Sequence, residues 1–455
     1  MPGGRERRQG GRRAAARPLA IALLAMAGLA VPASASAASN GRDLAFKTPV
    51  ARAGTPAAAT SGLSGTSLRT KLSAALRSAG GASGAWVYDT GGDGTLFSSA
   101  AGSRRILASN EKLFTTSAAL DRFGSTHRFE TAVYARGKFK GAEGRRLKGD
   151  LVIVGDGDPA LGTESFARRR NLPLTPIGEL ARAVAASGIK RVSGKVRADD
   201  SIFDRRRGTP ATGYRASVDL SPLSGLSFNS GFDGNGYSGA PELEAAGALK
   251  RALKKRGVRV TGVGRGRIAP KRLDRAEPLG VVASPSLAAL AEETNEPSNN
   301  FFAEMLIKRL GASKGKKGTT KRGAKRVKRF AKSVGTRVRA RDGSGLSRRD
   351  KASPKQVGKL LVAMARPSVE SADAFRASLA VAGREGTLSG RMRGTAAEGK
   401  CEAKTGTLSN VSALSGYCQV GGDPIVFSIL MNSVNPTTAR NAQDRMAAAI
   451  ARYQR

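Results

Sequence analysis

Two cysteines, Cys401 and Cys418, stand at equal distances from the midpoint of the tetrapeptide "LSNV" (408–411), and the 455 residues contain no others. If 401–407 and 412–418 are the arms of a hairpin turning at Ser409–Asn410, the cysteines face each other across the ladder, where a disulfide pins the register. A slip of one residue would turn every side chain to the opposite face. In that register Lys404 and Gly406 share one face of the strand and Thr405 takes the other. The cysteines lack the nearby soft ligands a metal site requires, so one bridge is the expectation.

A disulfide needs an oxidising compartment, and the chain start reads as an export signal. Residues 1–17 hold six arginines, residues 19–31 are apolar, and "PASASAAS" offers small-residue cleavage sites. Thirteen apolar residues are too few for a membrane span, and no other stretch is long and apolar enough. The Arg12–Arg13 context fits a twin-arginine signal poorly, which favours the general secretory route. The expectation is a signal over 1–38, a flexible lead rich in Ala, Gly, Ser, Thr and Pro over 39–65, and an extracytoplasmic product.

Charge bounds the partners. The net charge is +42, and loss of the leader's six arginines and one glutamate leaves +37. Ten Lys/Arg crowd residues 314–332. Such a field attracts polyanions, but aromatic residues are only 5% and no nucleic-acid signature accompanies the basic run. For an exported chain, anionic wall polymers or a membrane surface are the expected partners, against a merely solvated helix face.

Texture divides the rest. A helix near 66–79, strands over 84–90 and 94–99 and a helix from 106 form a first part, 66–127. Short strand patterns and Gly- and Asn-rich loops fill 128–280, the expected β-rich insertion. Helices return at "SPSLAALAEETN", with Ser284 as cap and Pro285 in the first turn. The strands "CEAKTGTL", "VSALSGYCQV" and "PIVFSILMN" and a terminal helix complete 281–455. The expectation is a discontinuous α+β catalytic domain carrying an insertion.

Several chemistries fall away. His127 is the only histidine, so a Ser-His-Asp relay would rest on a residue that reads as a surface side chain. Asp156 and Asp158 in "GDGDP" resemble a glycosidase pair less than a turn. What remains is a serine hydrolase whose base is a lysine. In "ILASNEKLFTTSAAL" Ser109 and Lys112 lie three apart, on one face of a helix. The structural alternative makes Ser109 a helix cap and lets Lys112 reach water. Ser-x-x-Lys also occurs at Ser187/Lys190 and Ser313/Lys316. "EPSNNFF" supplies Ser298 and Asn300 between two helices, although Ser-x-Asn recurs at Ser227/Asn229 and Ser433/Asn435. "AKTGTLS" supplies Lys404, Thr405 and Gly406, whose missing side chain would let a substrate backbone approach. Each piece is common; the ordered set marks serine enzymes of the penicillin-binding class.

The chain resembles the D-alanyl-D-alanine carboxypeptidase/endopeptidase family, the low-molecular-mass class C penicillin-binding proteins, from about 66 to 454. Besides the three motifs, the likeness includes "GDLVIVGDGDPAL", "LSPLSGLSFNS", "RDGSGLSRRDKASP" and "VAGREGTLSGRM". The resemblance implies a five-stranded antiparallel sheet flanked by helices, with β-rich insertions. It implies Ser109 as nucleophile, Lys112 as general base and Ser298 as proton relay. Asn300, Lys404, Thr405 and Gly406 would bind the peptide, and the N–H groups of Ser109 and Thr407 would form the oxyanion hole. The substrate would be peptidoglycan stem peptide, β-lactams would inhibit, and no cofactor or metal would be needed. The rivals are a β-lactamase-like or esterase serine hydrolase and a non-catalytic anionic wall-binding protein.

Overall fold

The run "PIVFSILMN" is apolar on both alternating faces, the pattern of a strand covered on both sides. In a computed structural model, which describes residues 62–141, 145–268, 278–366 and 368–455, that run lies inside a six-stranded sheet. The export segment over 1–38 and nearly all of the lead lie outside the described residues.

The first part contributes α1 (Gly65–Ala79), β1 (Ala82–Asp89), β2 (Gly94–Ser99) and α2 (Glu111–Phe123). The middle contributes β3 (Glu130–Lys140), β4 (Arg145–Gly155), α3 (Glu164–Arg170), α4 (Ile177–Ala186), β5 (Ile189–Asp199), α5 (Pro241–Lys255), β6 (Arg259–Arg265) and β7 (Gly280–Ala283). Then come α6 (Leu287–Asn295), α7 (Asn300–Gly311), α8 (Thr320–Ser333), α9 (Pro354–Met364), α10 (Ala372–Ala377), β8 (Ala380–Val381), β9 (Cys401–Leu408), β10 (Val411–Gln419), β11 (Pro424–Asn432) and α11 (Pro436–Ile450).

The main sheet runs β8-β9-β10-β11-β1-β2, antiparallel throughout. Five strands are of full length, as expected, and β8 adds a two-residue edge. Ala82 pairs with Asn432 and Asp89 with Ile425, so the first strand completes a sheet made mostly by the last three. Alternation then sorts side chains between two cores. Ala85, Val87, Leu414, Ile425, Phe427 and Ile429 meet α1 and α11, whereas Trp86, Ala413, Tyr417, Val426 and Leu430 meet the layer of α2, α6, α7, α8 and α9. The spacing of Leu68, Leu72, Ala75, Leu76 and Ala79 buries one stripe of α1.

The middle residues build a second sheet, β7-β3-β4-β5-β6, over a separate core that includes Val133, Leu151, Ile153, Leu180, Val196 and Leu249. Its β4–β5 and β5–β6 pairs are parallel, and helices connect them. The insertion is thus a mixed α/β layer, where sequence texture suggested strands alone. Alanine-rich helices such as α4 carry short apolar stripes that composition blends into the loops.

One cap moves. Ser286 caps α6 by accepting from the Ala289 N–H, while the buried Ser284 accepts from the Phe129 N–H at 2.9 Å. The expected cap at Ser284 instead ties the returning chain to the start of the middle segment.

The hairpin has the expected register: Cys401 pairs with Cys418, Leu408 with Val411, and the cysteines are bonded. Bridging a loop of about 15 residues contributes roughly 3 kcal/mol in the chain-entropy account. The C401S/C418S variant should therefore unfold at lower denaturant and lower temperature than the native protein. An unchanged midpoint in equilibrium denaturation would mean that the ladder holds the register without the bridge.

Candidate active site

A short 3-10 turn, Ala108–Asn110, leads into α2 and carries Ser109 at its centre. Ser109 is not the helix cap; Asn110 holds that position, and its Nδ2 donates to the Lys404 carbonyl at 3.0 Å. This bond stitches the start of α2 to β9. Ala108 has φ 45°, a left-handed conformation that costs an alanine free energy and persists only when its surroundings impose it. The imposing neighbour is the loop 342–347. A Cβ on Gly345 would lie 1.8 Å from the Ala108 carbonyl oxygen, so only glycine fits there. On the other side, a Cβ on Gly406 would lie 3.0 Å from the Leu107 oxygen and 3.1 Å from the Ser109 nitrogen. The glycine of "KTG" therefore admits the protein's own serine turn against β9.

Lys112 does not reach water; it is fully buried. Its Nζ lies 3.0 Å from Ser109 Oγ, 2.7 Å from Asn300 Oδ1 and 2.9 Å from the Ser344 carbonyl. Burial is the largest influence and drives its pKa down to about 7, although the acids Glu304 and Asp342 act in the opposite sense. Glu304 Oε1 accepts the N–H groups of both Gly343 and Ser344, and Asp342 accepts those of Gly345 and Ser347. Asp350 accepts the Arg341 N–H. These buried carboxyls shape the loop that presents the Ser344 carbonyl to Lys112. Burial pushes Glu304 up to about 8, with Asp342 adding to the shift, and raises Glu111, Asp342 and Asp350 above the ordinary range.

Ser298 sits in the turn before α7 with φ 67°. Asn299 caps α7 and donates to Glu293, whose carboxyl is pushed up to about 7 by burial. Asn300 faces two ways: its Oδ1 accepts from Lys112, and its Nδ2 donates to the Asp219 carbonyl of the inserted layer at 3.0 Å. A cavity of about 480 Å³ opens beside it, lined in part by Arg170, Asp219, Tyr237 and Glu293. Lys404 is fully buried, and among the described residues its Nζ has no hydrogen-bond partner. Burial, aided by Lys112, lowers its pKa well below the ordinary lysine range. Thr405 Oγ1 meets Thr387 Oγ1 at 2.9 Å. The exposed Thr407 accepts from Arg440 of α11 at 3.3 Å.

The structure thus brings Ser109, Lys112 and Asn300 into direct contact and sets β9 against them. Edge strand β8 pairs only with Ala403 and Glu402. Among the described residues, no strand covers β9 from Lys404 to Leu408 on that side. A nucleophile beside a base with a lowered pKa, next to an open strand edge, suits acyl transfer from an extended peptide. His127 is half-buried: its ring stacks on Phe123 at 5.2 Å, and desolvation lowers its pKa. Asp158 turns back to the Ala160 N–H, and Asp156 pairs with Arg309. Sequence reasoning missed Glu304, Ser344 and Arg440 as neighbours of the site. The "DGSG" turn offered a signal for Ser344; Glu304 lies in an ordinary helical pattern and Arg440 is one of many arginines, so neither carries one.

Known proteins resemble this chain over most of its length. The D-Ala-D-Ala carboxypeptidase 3 (S13) family matches residues 68–228 and 237–453. A D-alanyl-D-alanine carboxypeptidase from Actinomadura sp. (strain R39) is 32% identical over 82% of this chain and 82% of its own. Carboxypeptidase DacB of Mycolicibacterium smegmatis is 27% identical over 75% of this chain and 74% of its own. The crystal structure of penicillin binding protein 4 from Haemophilus influenzae shares the fold, with TM-score 0.68 at 20% identity, over 83% of this chain and 97% of that one.

Lys112 supplies a direct test of the site's electrostatics. Its ammonium should lose its proton with a midpoint near 7, well below the value of about 10.4 for a free lysine. Side-chain ¹⁵N NMR of the lysine-labelled protein, assigned with Lys112→Met, reads this midpoint. A Lys112 resonance that titrates near 10 would contradict the burial described.

Proposed function

Because the chain belongs to the D-Ala-D-Ala carboxypeptidase 3 (S13) family, we propose that Ser109, Lys112 and Ser298 carry out its acyl transfer. The protein is a serine-type D-Ala-D-Ala carboxypeptidase of the cell wall, acting on peptidoglycan stem peptides and acylated by β-lactams. Its action is extracytoplasmic, as the family's substrate requires, and a disulfide suits that setting. The leader over 1–38 and the segment limits 66–127, 128–280 and 281–455 enter as parts of this reading. The separate core of the inserted layer supports the limits.

In the proposed reaction, Ser109 Oγ attacks the carbonyl of the penultimate D-alanine while its proton passes to the free amine of Lys112. The N–H groups of Ser109 and Thr407 stabilise the oxyanion. Ser298 then conveys a proton to the departing amine of the terminal D-alanine, and the acyl group stays on Ser109 until water releases it. Asn300 holds both the peptide and Lys112. The open edge of β9 lets an extended peptide lie beside Lys404, Thr405 and Gly406. Lys404 and Thr405 receive the terminal carboxylate, and an anion arriving there favours the charged form of the buried lysine. Arg440, hydrogen-bonded to Thr407, adds a guanidinium at the same edge. The exposed basic residues of 314–332 would face anionic wall polymers or the membrane surface. The 3.0 Å contact between Ser109 Oγ and Nζ of the fully buried Lys112 is the observation that supports the reading most.

Intact-mass analysis after addition of a penicillin should show one adduct, on Ser109, that is absent from Ser109→Ala. Adduct on another residue, or rapid release of hydrolysed drug, would move the reading towards a different nucleophile or a β-lactamase. Lys112→Ala should acylate at least ~10²-fold more slowly, the low end for loss of a general base. In the native protein the acylation rate should rise with pH through about 7 and level off above, because only the deprotonated amine accepts the proton. A rate that falls over that range would exclude Lys112 as the base.

Peptides ending in free D-Ala-D-Ala should be cleaved about ten- to over a hundred-fold better than the C-terminal amides, since a charge-assisted hydrogen bond contributes roughly 1.5–3 kcal/mol. Equal turnover of acid and amide would point to an esterase or a general peptidase.

A further inference from the structure

We propose that the exposed face of α8, with the turn before it, is a docking surface for a flexible linear polyanion rather than for a bilayer. The apolar stripe of α8, with Ala324, Val327, Phe330 and Ala331, is buried in the helical core beside α7. All seven basic residues of the helix are exposed: Lys321, Arg322, Lys325, Arg326, Lys328, Arg329 and Lys332. Lys314, Lys316 and Lys317 in the preceding turn are exposed too. No aspartate or glutamate occurs from Met305 to Arg341. None of these ten cations forms an ion pair with a described residue.

Helices that bind lipid sink an apolar face into the interface and keep the cationic face at the headgroups. In α8 the apolar face is already occupied by the protein core, so nothing remains to enter a membrane. The shape of the patch points the same way. At 3.6 residues per turn the seven cations fan over roughly 160° of the helix circumference. A flat surface meets only the middle of such a fan, whereas a flexible chain can follow its curve and neutralise the whole of it. Because tertiary packing holds α8, the charges are already in place before the polymer arrives. The ligand chemistry is a row of anionic groups along one chain, phosphate or carboxylate, bound with release of counterions. The wall-peptidase reading gives this surface its context, but the surface is independent of Ser109.

The test uses the chain without residues 1–38 and the variant in which Lys321, Lys325, Arg329 and Lys332 are all changed to glutamine. Lys328 is left in place because its charge reaches Glu111. Binding of long-chain inorganic polyphosphate and of poly-L-glutamate is measured against salt, beside vesicles of anionic phospholipid at matched charge. The expected result is tighter binding to at least one polymer than to vesicles. In the variant the logarithmic salt slope should fall by roughly 3, at about 0.7 per cation, and affinity near 0.15 M salt on the order of 10²-fold. Penicillin acylation should be the same in both proteins, which shows that the variant is folded. Unchanged polymer binding in a variant that still acylates would overturn the proposal, as would tighter binding to vesicles than to either polymer. If the variant does not fold, native-protein binding that is insensitive to salt between 0.1 and 0.5 M overturns it. Failure of the native protein to acylate would instead count against the wall-peptidase reading and leave the polyanion result standing on its own.

Discussion

A lysine amine with no access to water is the constraint around which the site is arranged. Burying an ammonium is costly, and Lys112 meets that cost partly by giving up its proton and partly by finding three oxygen partners. Each partner comes from a different segment: the turn before α2, the start of α7 and the loop 342–347. Satisfying one nitrogen therefore draws together chain regions far apart in sequence. The nearby carboxyls belong to the same arrangement. Glu304 spends one oxygen on two backbone N–H groups, which orients the Ser344 carbonyl, and burial raises the pKa of its carboxyl.

The neighbourhood is built by close approach as much as by hydrogen bonds. Gly345 and Gly406 pinch the serine turn from two sides, and the left-handed Ala108 is held between them. Strain of this kind survives only where the surroundings over-determine it. The rigid sheet supplies one jaw and the acid-shaped loop the other, so the position of Ser109 depends on both.

Much of this was legible in the sequence. The cysteine symmetry contained the register of the β9–β10 hairpin, and strand alternation with the helical stripe of α1 contained the two faces of the main sheet. Ser109, Lys112, Ser298, Asn300 and Lys404 stood out by motif, because the side chains proposed for the chemistry come in particular types and in a particular order. The supporting residues did not stand out. Glu304 lies in an ordinary helical pattern, and its role arises only when α7 is packed against the 342–347 loop. Ser284 and Ser286 are equally good caps on paper; the choice is made by a tertiary contact with Phe129. The mixed character of the insertion was hidden for a similar reason, since short alanine-rich helices and loops share a composition.

The pairing of β1 with β11 has a consequence for how the molecule comes into being. Ala82 waits for Asn432, so the main sheet cannot close until nearly the whole chain has been made. Contacts of such high sequence separation slow folding, because loop entropy is lost before they form. The inserted layer, with its own core, has no such dependence and can form while the C-terminal strands are still missing. Lys404 and the open strand edge arrive late, ahead of only β10, β11 and α11. During synthesis the chain therefore passes through a long interval in which Ser109 exists without its site, and the hydrolase becomes competent only in the final stage of its own assembly.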